Sequence, residues 1–246
     1  MLLNLPILAN KYDIFVKGII QVGAHTGEEV EEFRRLFTPK VKMHLFEPQK
    51  KYFKIIEKKY ITSKFINYYN FGCGNENKII QLNLSDNAGA SSSILKPKLH
   101  LEFHPDVNFI GTETIEIKKL DNFNISDSNF LSIDVQGYEL EVLKGSAKTL
   151  NSIDYIYVEV NSGEVYEGCA KIEEIDDFLD KHNFLRVATK FAYDFLPWGD
   201  AFYVRRENLN NTQILRAKIY KYIISKKYLY KYFIYLRKFY WKLISN

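Results

Sequence analysis

Asp134 is the first residue of this chain that asks for a chemical explanation. It interrupts an apolar run, Phe130–Val135, inside Leu131-Ser-Ile-Asp-Val-Gln-Gly137. A carboxylate in the middle of a buried strand is costly. At the strand's C-terminal end it would face the crevice where open α/β sheets bind ligands. A satisfied structural carboxylate is the other reading. Glu159 and Asn161 stand at the same end of the next apolar run, Ile153–Val160, and strand alternation turns both to one face. A carboxylate or imidazole so placed can take a proton from a hydroxyl. The base candidates are Asp134, Glu159, His100 and His104. The two histidines are i,i+4, but the Glu between them is misplaced for the zinc pattern H-E-x-x-H. Pro105 also limits helix there, so no metal pair is expected.

A second constellation is Ile19-Ile-Gln-Val-Gly-Ala-His-Thr-Gly27, followed by Glu47 in Leu-Phe-Glu-Pro48. A β-branched run, a glycine-bracketed turn and a helix start form the nucleotide-binding corner of an α/β protein. Gly23 and Gly27 permit positive φ and a close ligand. An acid about twenty residues on, at the end of the second strand, suits ribose hydroxyls. His25 occupies the place of the middle glycine in G-x-G-x-x-G, which speaks against a pyrophosphate and for a ligand without phosphates. A plain turn with a solvated acid is the bland alternative. Ser91–Ser93 ends a polar stretch, Asp86–Ser93, read as a lid or as a flexible loop. Trp198 is read as a sugar-stacking platform or as packing, and Asp200, just before the last strand, as a turn cap or as a residue that reaches the site.

These residues need a scaffold, and the hydropathy pattern supplies one. Strands are expected at Ile19–Val22, Val41–Phe46, Phe65–Phe71, Lys78–Leu84, Thr114–Lys118, Phe130–Val135, Ile153–Val160, Phe184–Thr189 and Ala201–Val204. Helices are expected at Glu28–Phe37, Gln49–Tyr60, Tyr138–Leu150 and Lys171–His182. Gly145 lies inside the third of these and implies a close packing contact. Gly72–Asn75 reads as a turn and Ile94–Ile110 as irregular. Alternating strands and helices imply a mostly parallel sheet with helices on both faces. The last two strands are expected as an antiparallel edge hairpin. The divisions are 1–18, an N-terminal lead-in; 19–206, the α/β domain; and 207–246, a basic aromatic helical tail.

The quoted runs, with Ser-Ser-Ser-Ile-Leu-Lys-Pro-Lys-Leu-His100 and Tyr155-Ile-Tyr-Val-Glu-Val-Asn-Ser-Gly163, resemble the FkbM family of S-adenosylmethionine-dependent methyltransferases over about residues 19–206. Asp134-Val-Gln-Gly-Tyr-Glu-Leu-Glu-Val-Leu-Lys-Gly145 is the most specific part. The resemblance implies a Rossmann-like class I methyltransferase fold and O-methylation, often of sugars or natural products. It implies that Gly23, Ala24, His25 and Gly27 lie under the methionine part of S-adenosylmethionine, with Asp134 nearby. Glu47 would hold the ribose, and Gly72, Cys73 and Asn75 would line the adenine. Asp134, Glu159 or His100 would act as base. Ser92, Ser93, Gln136, Asn161 and Trp198 would face the acceptor. Many members have Glu where this chain has Gln136 and Lys where it has Ser132. Gln136 can hydrogen-bond but cannot serve as a base. A divalent metal is compatible with removing a hydroxyl proton, but no residue pattern indicates one. A Rossmann-type NAD(P) oxidoreductase and a non-catalytic binding or scaffold protein are the alternatives at this point.

Composition bounds the partners. Cys73 and Cys169 fit no metal or redox spacing. Residues 207–246 hold nine Lys/Arg and one acid; the whole chain is only +4, so the first 206 residues are net acidic. That disfavours a nucleic-acid partner for the body; a small-molecule or glycan acceptor is what the family resemblance implies. The tail from Gln213 has seven Tyr, Phe233, Phe239 and Trp241 among its basic residues. Such a mixture suits an anionic membrane surface, a partner, or packing on the body. Met1–Asn10 lacks a basic leader and is broken by Pro6. A cytoplasmic protein is therefore expected, with peripheral contact at the inner membrane face.

Overall fold

The computed structural model describes residues 1–192 and 197–223. Helix α1 (Leu5–Lys11) leads in, with Asn4 accepting from the Ile7 N–H and Pro6 in the first turn, where its missing donor is harmless. Then follow β1 (Gly18–Val22), α2 (Val30–Leu36), β2 (Lys42–Phe46), α3 (Lys50–Tyr60) and β3 (Ile66–Tyr69). After them come β4 (Gly72–Cys73), β5 (Lys78–Ser85), α4 (His100–Phe103), β6 (Phe109–Lys118), β7 (Phe130–Ile133) and α5 (Glu139–Lys144). The chain continues through β8 (Tyr155–Asn161), α6 (Ile172–Lys181), β9 (Phe184–Phe191) and β10 (Trp198–Arg205), and residues 211–223 are helical.

Seven strands form one sheet in the order β3-β2-β1-β7-β8-β10-β9. All pair in parallel except β10, which is antiparallel to both neighbours. This is a Rossmann-like α/β sheet. Period-two alternation splits β1 between two cores. Ile19 packs with Val30, Phe33 and Ile56 of α2 and α3, and with Leu5 and Leu8 of α1. Ile20 and Val22 pack with Val142 and Leu143 of α5 and Ile175 and Leu179 of α6. The strand order reverses at β1, whose neighbours are β2 and β7. The crevice beyond their C-terminal ends is the ligand position of such sheets. A smaller sheet, β4-β6-β5, stands over that end.

Three expectations need correction. Gly72–Asn75 is not simply a turn, because Gly72 and Cys73 pair in parallel with Ile117 and Lys118. The helix expected to reach Leu150 stops at Lys144 and resumes as a 3-10 turn, Thr149–Ser152. Here the Ser146 hydroxyl takes the Val142 carbonyl, and the Gly145 carbonyl accepts from Asp121 N–H. The closing hairpin is at the sheet edge as expected, and within it β10 lies between β8 and β9, leaving β9 outermost. The α6 crossover carries β9 one strand-width too far, and the return fills the gap. Trp198 and Asp200 lie within β10 rather than before it, and Asp200 pairs in register with Glu159.

Among the described residues no helix is long and apolar enough to cross a membrane. Most of the tail, residues 224–246, lies outside the described residues. Its first part joins the body: Leu209 and Ala217 are buried in the core that holds α1.

The expected contact at Gly145 is present. A Cβ there would stand 1.8 Å from the Gly74 carbonyl oxygen. Backbone cannot yield cheaply, so Gly145→Ala should cost about 1–3 kcal/mol, read as a lower urea midpoint at unchanged m-value.

Candidate functional site

The turn after β1 is built on backbone. Gly23 has φ 83°, and a Cβ on it would lie 1.8 Å from the Asp134 carbonyl oxygen. Gly23 and Ala24 both donate to the Phe46 carbonyl at 3.0 Å. The next residue, His25, sits at φ 47° and donates its backbone N–H to Glu47 Oε2 at 2.8 Å. Its ring lies 4.1 Å from that of Tyr52, and Nε2 is 2.8 Å from the Ala88 carbonyl oxygen. His25 therefore holds the polar loop over the turn. Gly89 of that loop packs so closely on Tyr52 that a Cβ would come within 2.5 Å of the ring.

Beneath the loop is a cavity of about 970 Å³, mouth included. Gly23, Ala24, His25, Glu47, Gly72, Cys73, Ser92, Asp134 and Gln136 line it. Gly27 and Asn75 are not in the wall. Gly27 is held from behind by the Tyr60 hydroxyl, and Asn75 keeps a buried Oδ1 without a partner among the described residues. The wall has three chemical parts. Pro48, Leu82, Ile115 and Tyr138 make an apolar slot. Glu47, 3% exposed, accepts from His25 and Gln49 N–H groups, and burial pushes its pKa up to about 7. At the far end stand Glu29 and Asp134. Burial first, then Asp134, raises Glu29 to about 7. An apolar ring, a sugar diol and a cationic amino-acid end would each meet a matching part. S-adenosylmethionine has all three, so the residues present fit it.

A second chamber, about 880 Å³, adjoins the first and shares Ala90, Asp134 and Gln136 with it. His100, His104, Glu159, Trp198 and Asp200 line its remaining wall, with Ser91. Gln136, at φ 55°, is the joint between the two. Its amide nitrogen donates to Asp134 Oδ1 at 2.7 Å and to Glu159 Oε2 at 3.0 Å. Its amide oxygen accepts from the Tyr166 hydroxyl at 3.0 Å, and its carbonyl from Ser93 at 2.7 Å. Ser93 is thus buried behind the wall rather than in it. Asp134 is reached by solvent from the chambers, yet the protein around it raises its pKa, Gln136 opposing. Glu159 is buried, and burial, followed by Asp134 and Glu139, raises it far more. Burial and the neighbouring Asp200 raise both, and the Gln136 amide ties the two carboxyls together.

The remaining candidates divide. His100 is buried, bonded to the Ser91 hydroxyl at 2.9 Å, and burial beside His104 lowers its pKa to about 4. It is neutral near pH 7. Half-buried Trp198 is in the chamber wall. Asn161 is buried, pairs in register with Trp198, and lies in neither wall. Three participants escaped the sequence reading. Glu29 lines the first chamber. Glu139 accepts from Val135 and Gly137 N–H groups and fixes the turn after β7. Tyr166 orients Gln136. Only Glu139 had a local signal, an acid opening a helix just after a glycine. Among the described residues no group of three or more His, Cys, Asp or Glu is arranged to hold a metal.

Comparison with known proteins places this geometry. Residues 21–186 match the methyltransferase FkbM domain. The 2-O-methyltransferase NoeI of Sinorhizobium fredii is 27% identical over 171 residues, 65% of this chain and 70% of that protein. The crystal structure of methyltransferase FkbM from Methylobacillus flagellatus superposes with a TM-score of 0.51 at 13% identity. That likeness covers 76% of this chain but only 43% of the other. Sp1610 of Streptococcus pneumoniae, described as a candidate tRNA (m1A22) methyltransferase, gives 0.52 at 11% identity, over 99% of this chain and 88% of that one. At these identities the two structures speak for the fold alone.

Glu47 tests the first chamber. In the unliganded protein its raised pKa gives a stability contribution that is full below about 4.5 and lost as pH rises through about 7. Ribose hydroxyls donate best to the ionised form. Binding of S-adenosylhomocysteine should therefore release a proton, with affinity rising from about pH 6 to 8. Calorimetry in buffers of different ionisation enthalpy reads this directly. Glu47→Gln should remove the Glu47 share of proton release, and Glu47→Ala should weaken binding by about 10–100-fold.

Proposed function

The chain belongs to the FkbM family of methyltransferases, and on that premise we propose that it O-methylates a hydroxyl of a sugar or glycan intermediate. It is an S-adenosylmethionine-dependent methyltransferase, so the oxidoreductase and non-catalytic alternatives fall away. The observation that carries the sugar reading is the second chamber, where acceptors of hydrogen bonds stand beside an indole. Glu159, Asp200 and the two histidines offer polar partners, and Trp198 offers a flat apolar face. Polyols present hydroxyls around a ring edge and C–H groups on its face, and match that pairing. The 2-O-methyltransferase name of the S. fredii relative agrees with an oxygen acceptor.

Asp134 lies in the walls of both chambers and is the base in this reading. The Gln136 amide, bonded to both Asp134 and Glu159, fixes the carboxyl that faces the two chambers. Asp134 takes the proton of the acceptor hydroxyl as the oxygen begins to bond to carbon. The bound cofactor supplies an electrophilic methyl group on a sulfonium. The walls would bring oxygen and methyl into line, and such positioning accounts for much of the acceleration in displacements of this kind. Glu29, at the far end of the first chamber, suits the amino group. His100, neutral and bonded to Ser91, braces the loop between the chambers. In this assignment it is a positioning residue.

Methyl-labelled S-adenosylmethionine offered with mono- and oligosaccharides, and with tRNA, tests the reading. Label should enter carbohydrate and be absent from the acceptor's deoxy analogue. Transfer to tRNA alone would overturn it. Asp134→Asn should lower turnover by about 10²-fold or more while S-adenosylhomocysteine affinity stays within about threefold. Trp198→Ala should raise the acceptor KM and leave kcat nearly unchanged, the signature of lost uniform binding.

A further inference from the structure

The helix over residues 211–223 is seated on the body by one face. Ala217 is buried, and Ile214 packs on the core that holds α1. The Tyr220 hydroxyl accepts from Thr189 N–H at 2.8 Å and donates to its carbonyl at 2.9 Å. Lys221 Nζ lies 3.4 Å from Asp176 Oδ2, a carboxylate already held by Arg186. The helix therefore cannot roll.

Its outward face is the wrong way round for a surface helix. Leu215, Ile219 and Ile223 are 59%, 50% and 55% exposed. At about 100° per residue they span one stripe roughly 80° wide. Arg216 and Lys218, both exposed, stand on its two shoulders. An apolar stripe between cations is the arrangement of a helix that lies in the plane of a bilayer. The sequence downstream extends the theme. Residues 224–246 add six Lys/Arg, five Tyr, Phe233, Phe239 and Trp241, and no acid. Charge complementarity thus selects an anionic surface, and a straight, shallow stripe suits a plane better than a groove.

We propose that the outward face of helix 211–223 docks this methyltransferase on an anionic lipid bilayer. Leu215, Ile219 and Ile223 enter the interfacial region, and Arg216 and Lys218 meet lipid phosphates. The inward face, through Tyr220 and Lys221, transmits a fixed orientation to the body.

Flotation of the full chain with vesicles of phosphatidylcholine, alone or with about 30 mol% phosphatidylglycerol, tests this. Partition should be at least about tenfold stronger on the anionic vesicles and weaken with salt. The triple variant Leu215→Ser, Ile219→Ser, Ile223→Ser alters only exposed positions. It should keep S-adenosylhomocysteine affinity and lose partition by about tenfold or more. Arg216→Glu with Lys218→Glu should do the same on anionic vesicles. No flotation of the unaltered chain would overturn the proposal, as would unchanged flotation of the triple variant. So would a dimer in sedimentation that the triple variant dissolves while neither protein floats, since a second copy would then own the face.

Discussion

The constraint on which the site depends is the approach of two strand ends. Asp134 N–H reaches the Val22 carbonyl at 3.0 Å, and the Gly23 backbone presses on the Asp134 carbonyl with no room for a side chain. This contact joins the turn after β1 to the turn after β7. It sets the Gly23–His25 backbone and the Asp134 carboxylate on the wall of one cavity. Gln136 and Glu159 then take positions relative to Asp134, and His25 relative to Glu47. A methyl on the contact at Gly23 would separate the strands and disperse all of these groups at once.

The site's electrostatics follow from that crowding. Glu29, Asp134, Glu139 and Glu159 gather at one end of the sheet, and the protein packed around them raises the pKa of each. The fold answers with donors rather than with Lys or Arg. Backbone N–H groups serve Glu47 and Glu139, and the Gln136 amide serves Asp134 and Glu159 together. A glutamate in place of Gln136 would add a further acid here and remove the amide donor. The Met1 ammonium, 3.9 Å from Glu29 Oε1, is the cation the fold supplies here, and a sulfonium and an ammonium would add to it.

Much of this was legible in the chain because its signals are local. The run Ile19–Gly27, Glu47 after β2 and Asp134 after β7 each sit at a strand end that periodicity alone can place. Gly145 announced its contact because a glycine in a helix has a cost that something must offset. Other features depend on how distant segments meet. Nothing in Phe184–Arg205 says that β10 will slip between β8 and β9, since strand order is decided by the crossover. The two-residue strand Gly72–Cys73 exists only because β6 lies beside it. Asn161 shares a sequence parity with Glu159, yet it pairs off against Trp198 at the sheet end and leaves both walls. Glu29 reads as a helix-start acid until the fold brings it towards Asp134.

The thin partition between the chambers has a kinetic meaning. Ala90, Asp134 and Gln136 separate two spaces, each with its own further wall, so neither ligand occupies the other's seat. Both can be resident together, and no protein nucleophile is needed to carry the group across. On the proposed reading the displacement would be a single event within a ternary complex, with inversion at the transferred carbon. Its initial-rate lines intersect rather than run parallel. On that reading the partition would also limit the acceptor, since only an oxygen able to reach past the Asp134 carboxylate would come into line, making regiochemistry a property of a wall a few side chains thick.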